Sequence, residues 1–195
     1  MKNSFTFSVF NKIGLIHNEK KYGSITIWGM LCQIYKSLKV IFCFKLAYSP
    51  GFIETVYFNK FRAYLWRKMG SSVGKGVCIG HSVSTDIGNT ELITIEDHVI
   101  ITNGCTILCH RRDMAQYYKY DEAHLLPYIY RGIVLKKNCQ LGMGTIVMPG
   151  VTVGEGAIVG ARSVVTKDVP AWTIAAGSPC KVIKGIPNRE DADND

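Results

Sequence analysis

Residues 135–165 read LKKNCQ LGMGTI VMPGVT VGEGAI VGARSV V, and written in sixes each group opens on an aliphatic residue: Leu135, Leu141, Val147, Val153, Val159 and Val165. An α-helix repeats its faces every 3.6 residues and a flat strand every two, so neither produces an unbroken period of six. A backbone that turns a corner every six residues and sends one aliphatic side chain inward along each side does produce it. The stretch therefore predicts a parallel β-helix of hexapeptides, an all-β solenoid.

The other positions of the hexad agree. Four places after each aliphatic come Cys139, Thr145, Val151, Ala157, Ser163 and Val169, all small or β-branched, as a narrow triangular interior requires. Glycine follows the aliphatic in Leu141-Gly142, Val153-Gly154 and Val159-Gly160, where a tight corner is expected to need unusual φ. The frame reappears upstream at Val73-Gly74, Ile79-Gly80, Ile95, Ile101 and Ile107. Ile79 and Ile95 are sixteen apart rather than twelve, which predicts a bulge of about four residues in one coil. A longer interruption, the loop at 111–132, carries Arg111, Arg112, Asp113 and a Tyr-rich run.

The string Val159-Gly160-Ala161-Arg162-Ser163-Val164-Val165-Thr166-Lys167-Asp168-Val169-Pro170, followed by Ala176-Gly177-Ser178-Pro179-Cys180-Lys181-Val182-Ile183-Lys184, resembles the end of the hexapeptide-repeat acyltransferases. It looks closest to the O-acetyltransferases of the galactoside, maltose and polysaccharide type. The resemblance covers roughly residues 71–186. It implies a left-handed helix, against the usual right-handed crossover rule, and a homotrimer with three active sites between neighbouring subunits. It also implies transfer of acetyl from acetyl-CoA to a carbohydrate hydroxyl.

Domain organisation follows: a basic, largely helical segment 1–70, the β-helix 71–186 with its protruding loop, and an acidic tail 187–195 expected to be disordered. The segment 1–70 holds eleven Lys or Arg against two acids, a balance of +9; residues 71–195 hold twelve against thirteen, a balance of −1. Two helices are expected, near 24–47 and 52–68, broken at Pro50-Gly51. Their apolar residues (Trp28, Ile34, Leu38, Ile41, Phe42, Phe58, Phe61, Leu65 and Trp66) are expected to cap the open end of the β-helix, where uncovered strand edges would otherwise face water. The surplus of positive charge also suits peripheral contact with a membrane or an anionic glycan. No nucleic-acid motif accompanies it. The apolar stretch 25–48 carries Gln33, Lys36, Lys39 and Lys45, which argues against a membrane span. The seven cysteines show neither metal-ligand spacing nor a disulfide framework and read as reduced thiols. With no leader apparent, the expected location is the cytoplasm, with the inner face of the membrane as the alternative.

Acyl transfer from a thioester needs a base for the attacking hydroxyl, donors for the developing oxyanion, and a groove for the long CoA carrier. Among His17, His81, His98, His110 and His124, His110 stands where the hexad breaks into the long loop. The catalytic His of the related acetyltransferases lies at this junction. Its orienting acceptor is Asp86, Asp113 or a backbone carbonyl; by resemblance, Asp86 in the small bulge, and with it Asp113, are candidate acceptor-binding residues. Gly142, Met143, Gly160 and Ala161 fall where relatives present backbone to the pantetheine arm. Thr166 and Lys167 fall where adenine and phosphates lie, and Lys181 and Lys184 stand where relatives often carry Arg. Met143 and Gln140 depart from the family pattern, and lysine gives point charge without a bidentate fork.

Three other readings compete with this one. A zinc carbonic anhydrase on the same repeat needs His ligands four residues apart, and no two histidines here have that spacing; no metal is expected. A trimeric scaffold without activity would not need His110 or the Thr166-Lys167 string. N-acetylation of an amino sugar, or acetylation of a xenobiotic, would use the same base and groove. A covalent acyl-enzyme is not required, although Cys109 adjoins His110.

Overall fold

In the computed structural model, residues 26–48 and 56–189 are described. His17, the Pro50-Gly51 break and the acidic tail from 190 onward lie outside them. The chain falls into two compact units divided between Ile41 and Phe42.

The coils form as the period of six predicts. Short parallel strands stack into three faces. The first face joins Ser72–Val73, Ile93–Ile95, Ile133–Leu135 and Thr152–Val153. The second joins Cys78–Ile79, Ile100–Ile101, Gln140–Leu141 and Ile158–Val159, then Thr173–Gly177. The third joins Ser84–Thr85, Thr106–Ile107, Ile146–Val147 and Val164–Val165. In every pair the inward residues stand in register: Ile95 on Leu135 on Val153, Ile101 on Leu141 on Val159, Ile107 on Val147 on Val165. Leu135, Leu141, Val147, Val153 and Val165 are 0% exposed. Each such side chain contributes about 1.5–3 kcal/mol relative to leaving it in water. The small-residue positions from Cys139 to Val169 are buried as well.

Coil length sets everything outside the stack. Leu135 meets Val153 after eighteen residues, whereas Thr85 meets Ile107 after twenty-two. The four-residue surplus is the expected bulge, and it lies just after Thr85, where a 3₁₀ turn Thr90–Leu92 returns the chain to the first face. The large loop leaves after Ile107 and folds back as an antiparallel hairpin, His110–Arg112 against Tyr128–Tyr130. The stack closes on a second antiparallel hairpin, Thr173–Gly177 against Cys180–Gly185.

The glycine expectation needs correction. Gly142, Gly154 and Gly160 do not have positive φ. A Cβ at Gly142 would lie 2.4 Å from the Ala161 amide nitrogen, and one at Gly154 would lie 2.4 Å from that of Ala171. These glycines are required because the next coil's backbone passes too close for any side chain. The left-handed corners fall two places later, at Asn138, Gly144, Gly150, Gly156 and Arg162, again six apart.

Among the described residues two helices precede the coils, α1 (Ile27–Tyr48) and α2 (Val56–Met69). Thr26 caps α1: its hydroxyl accepts from the Gly29 amide at 3.1 Å. α2 stops where Gly70 takes φ +115°. It packs on the first coil through Leu65 and Trp66, 4% and 1% exposed. Arg67 donates to the carbonyls of Val73 and Gly74, groups of the outermost strand edge that would otherwise go unpaired. Buried Arg62 donates from Nε to the Ala47 carbonyl at 3.2 Å, tying the last turn of α1 to α2. The cap is thus α2 and the end of α1. Of the other residues expected in the cap, Trp28, Ile34, Leu38, Ile41 and Phe42 are all at least 40% exposed.

One aliphatic slot of the described hexad frame carries a polar residue. Thr85 occupies the slot that holds Ile107, Val147 and Val165 in later coils, and its Oγ1 meets no hydrogen-bond partner among the described residues. Thr85→Val removes that stranded hydroxyl at nearly constant shape. It is expected to raise stability by about 1 kcal/mol, a Tm gain of roughly 2–4 °C by calorimetry. A lower Tm would mean the hydroxyl is satisfied.

Candidate active site

His110 opens the first strand of the loop hairpin, and Asp86 opens the bulge one coil below it. The pairing of Thr85 with Ile107 brings the two elements level. Asp86 Oδ2 then accepts from the amides of Cys109 at 2.6 Å and His110 at 3.1 Å, and lies 2.7 Å from His110 Nδ1. An oxygen that receives two amide N–H groups is an acceptor, so Nδ1 carries a proton toward it, and in the neutral ring the lone pair is then on Nε2. The Asp86 side chain is 10% exposed and that of His110 37%, so the pair is shielded on the aspartate side and open at the imidazole. Neither distance nor tautomer needs a second chain.

The facing strand walls the imidazole. Tyr128 meets it edge-on with centroids 5.2 Å apart, and Tyr130 lies at 5.9 Å. Their i, i+2 spacing puts both on one side of the strand. Arg112 stacks over the Tyr128 ring at 4.0 Å and donates to the carbonyls of His124 and Leu126, so it holds the loop in place. Arg111 is exposed.

Cys109, the neighbour of His110, is fully buried. Burial above all, then the Asp86 and Glu91 carboxylates, pushes its thiol up to about 12. A thiol held neutral and away from solvent is a poor nucleophile. Cys139 is likewise pushed up to about 12, by burial first and the Glu96 charge second.

The remaining candidates fall into place by edge. Gly142-Met143 and Gly160-Ala161 stack on one another at the corner between the second and third faces, Gly142 in contact range of Ala161. Their carbonyls already serve the fold: Gly142 O accepts from Thr145 Oγ1 at 2.7 Å, and Gly160 O from Ser163 Oγ at 2.7 Å. Met143 is 59% exposed. Thr166 and Lys167 follow Val165 at the opposite corner of the third face, the corner that also carries Asp86 and the departure to His110. Three strand steps separate Thr85 from Val165, about 14 Å at ~4.8 Å each. Lys181 and Lys184 are exposed on the closing hairpin. None of Lys167, Lys181 and Lys184 forms an ion pair with a described residue.

Other candidates are not brought to His110. Asp113 Oδ1 accepts from the Ala115 amide at 3.1 Å and shapes the loop. The His81 ring lies 3.1 Å from Ser82 Oγ, His98 is exposed at a left-handed corner, and His124 lies 3.5 Å from Glu122. Among the described residues no three His, Cys, Asp or Glu side chains are placed to hold a metal ion. Sequence reasoning did not single out Tyr128 and Tyr130; the alternation Tyr128-Ile129-Tyr130 was the available signal.

Residues 132–167 match the bacterial transferase hexapeptide family (six repeats). The chain is 32% identical over 124 residues to the galactoside O-acetyltransferase of Escherichia coli K12, covering 61% of this chain and 59% of that one. It spans 27%, 39% and 59% of the length of three curated relatives it matches. Among solved structures, a maltose O-acetyltransferase from Clostridium difficile 630 superimposes with a TM-score of 0.57 at 24% identity, over 79% of this chain and 89% of that one. A galactoside acetyltransferase in complex with coenzyme A gives 0.57 at 22% identity, over 81% and 84%. At these identities the likeness is one of fold. The family match and the galactoside O-acetyltransferase relative bear out the resemblance of the string from Val159 to Lys184 to the hexapeptide-repeat acyltransferases.

Proposed function

We propose that this chain is an acetyl-CoA-dependent acetyltransferase acting on a hydroxyl of a carbohydrate. In this reading it forms a left-handed β-helix, assembled as a homotrimer with an active site between each pair of neighbouring subunits. The observation that carries the reading is the 2.7 Å contact between His110 Nδ1 and Asp86 Oδ2 at the rim of the third face. It holds the imidazole through Nδ1, which leaves Nε2 for the base function.

The residues present fit the donor. The third face is bounded on one side by Gly142, Met143, Gly160 and Ala161, and on the other by Thr166 and Lys167. Exposed, unpaired Lys167, Lys181 and Lys184 offer positive charge for phosphates at the C-terminal end. Acetyl-CoA supplies the activated acyl group; His110 takes the proton of the attacking hydroxyl and returns it to the departing sulfur. Asp86 holds the imidazolium so formed and keeps the ring fixed between Tyr128 and Tyr130. Direct transfer agrees with the buried, neutral thiol of Cys109. The half-exposed tyrosines beside the base offer an apolar platform for a sugar ring. The open side of His110 is where a neighbouring subunit would complete the site, and an acetyl-CoA donor fits a cytoplasmic location.

The test is CoA release from acetyl-CoA with a panel of saccharides and amino sugars, alongside calorimetry with acetyl-CoA. Hydroxyl-dependent release supports the reading. Release with amines alone would make the chain an N-acetyltransferase, and absence of acetyl-CoA binding would leave a scaffold.

A further inference from the structure

Helix α1 carries a long, exposed apolar stripe. At 100° per residue, Ile27, Leu31, Ile34, Leu38, Ile41 and Phe42 fall within one sector of the helix, with Trp28 and Tyr35 at its edge. Trp28 is 75% exposed, Leu38 61% and Phe42 67%; only Cys43 and Ala47, on the opposite side near the end, are buried. Exposed aromatic and aliphatic side chains in such a row mark a surface that something covers.

The charge says what. Within Ile27–Tyr48 there are three lysines and no acid. Lys36 lies opposite the stripe and Lys39 flanks it, both exposed, while Lys45 falls in the stripe's own sector at the last turn and ends it there. The first 70 residues as a whole carry +9. A second copy of the chain would bring the same positive helix, so like charge opposes self-pairing through it. A surface that is apolar just below and anionic on top complements both features, and that is an anionic phospholipid leaflet.

Spanning is the competing geometry, since 22 residues and a mean hydropathy of 1.3 are long and apolar enough to cross a bilayer. Lys36 and Lys39, however, are the tenth and thirteenth residues, where a span would put both at the centre of the hydrocarbon with no acid in the helix to pair them. Lying in the interface puts the stripe down from Ile27 to Phe42, Lys36 and Lys39 on the headgroup and water side, and Trp28 and Tyr35 at the boundary such rings prefer, while Lys45 at the helix end reaches up to the headgroups.

We infer that α1 binds in the plane of an anionic membrane surface, holding the protein at a lipid leaflet as a peripheral protein. This rests on α1 alone and stands or falls separately from the acetyltransferase reading. The test is flotation of the full chain with vesicles of phosphatidylcholine alone, or with about a third phosphatidylglycerol. Binding is expected to the anionic vesicles only, and to weaken as salt rises. The exposed pair Lys36→Gln/Lys39→Gln should lower partitioning about tenfold or more. Leu31→Glu/Leu38→Glu should abolish it while far-UV circular dichroism stays unchanged. Failure to float on anionic vesicles overturns the inference, as does binding that Leu31→Glu/Leu38→Glu leaves intact. A fall in oligomer mass in that variant, without lipid binding in the parent, would assign the stripe to a second copy. Resistance of the membrane-bound chain to alkaline carbonate would assign a span.

Discussion

His110→Ala is expected to lower acetyl transfer by about 10²- to 10⁴-fold, the usual scale for losing a general base, with acetyl-CoA affinity unchanged. The imidazole is placed by Asp86, by its own backbone amide and by the tyrosine wall, none of which touches the edge residues assigned to the donor. Asp86→Asn separates positioning from chemistry. Its amide oxygen can take the place of Oδ2 and still accept from the Cys109 and His110 amides and from Nδ1, but the negative charge that stabilises the imidazolium formed during transfer is gone. Turnover should then fall with little change in KM for acetyl-CoA, and far-UV circular dichroism should match the parent. Single-turnover CoA release measures both variants. Full activity of His110→Ala would remove the imidazole from the mechanism.

The largest effect on stability is expected from Gly154→Ala. The added Cβ would stand 2.4 Å from the Ala171 nitrogen and 2.7 Å from its Cα and from the Pro170 carbonyl carbon, all backbone atoms of the next coil. No side chain can swing away, so the two coils must separate, and the parallel pairing of Val153 with Val169 goes with them. The expected cost is about 3 kcal/mol or more, seen in calorimetry as a Tm loss of roughly 6–12 °C. Gly88→Ala is the control: nothing lies within 4 Å of its Cβ position and its φ is ordinary, so Tm should hold or rise slightly. Equal Tm for the two variants would refute the close-approach explanation of the hexad glycines.

The hexad frame was legible in residues 135–165 because inward or outward direction is decided locally. A side chain every sixth place repeats its environment whatever the neighbouring coil contains, so Leu135 to Val165 could be assigned to the interior, and the surplus after Ile79 to a bulge, from spacing alone. The break after Ile107 likewise marked His110 without coordinates. The reason for the glycines was not legible, since a glycine needed for φ and one needed for close approach look the same in one dimension. Which face of α2 meets the first coil, the one carrying Leu65 and Trp66, was not legible either, since a helix apolar on several sides does not reveal its packed face.

By itself, then, the chain's spacing determined a six-residue solenoid with a loop at His110, since corner geometry and side-chain size act between near neighbours. Only the tertiary structure decided that Asp86 rather than Asp113 holds the imidazole. That choice depends on the twenty-two-residue first coil bringing Thr85 level with Ile107, and on a hairpin that spends Asp113 on its own turn. Contacts between coils are set by the lengths of insertions, which have no period to read.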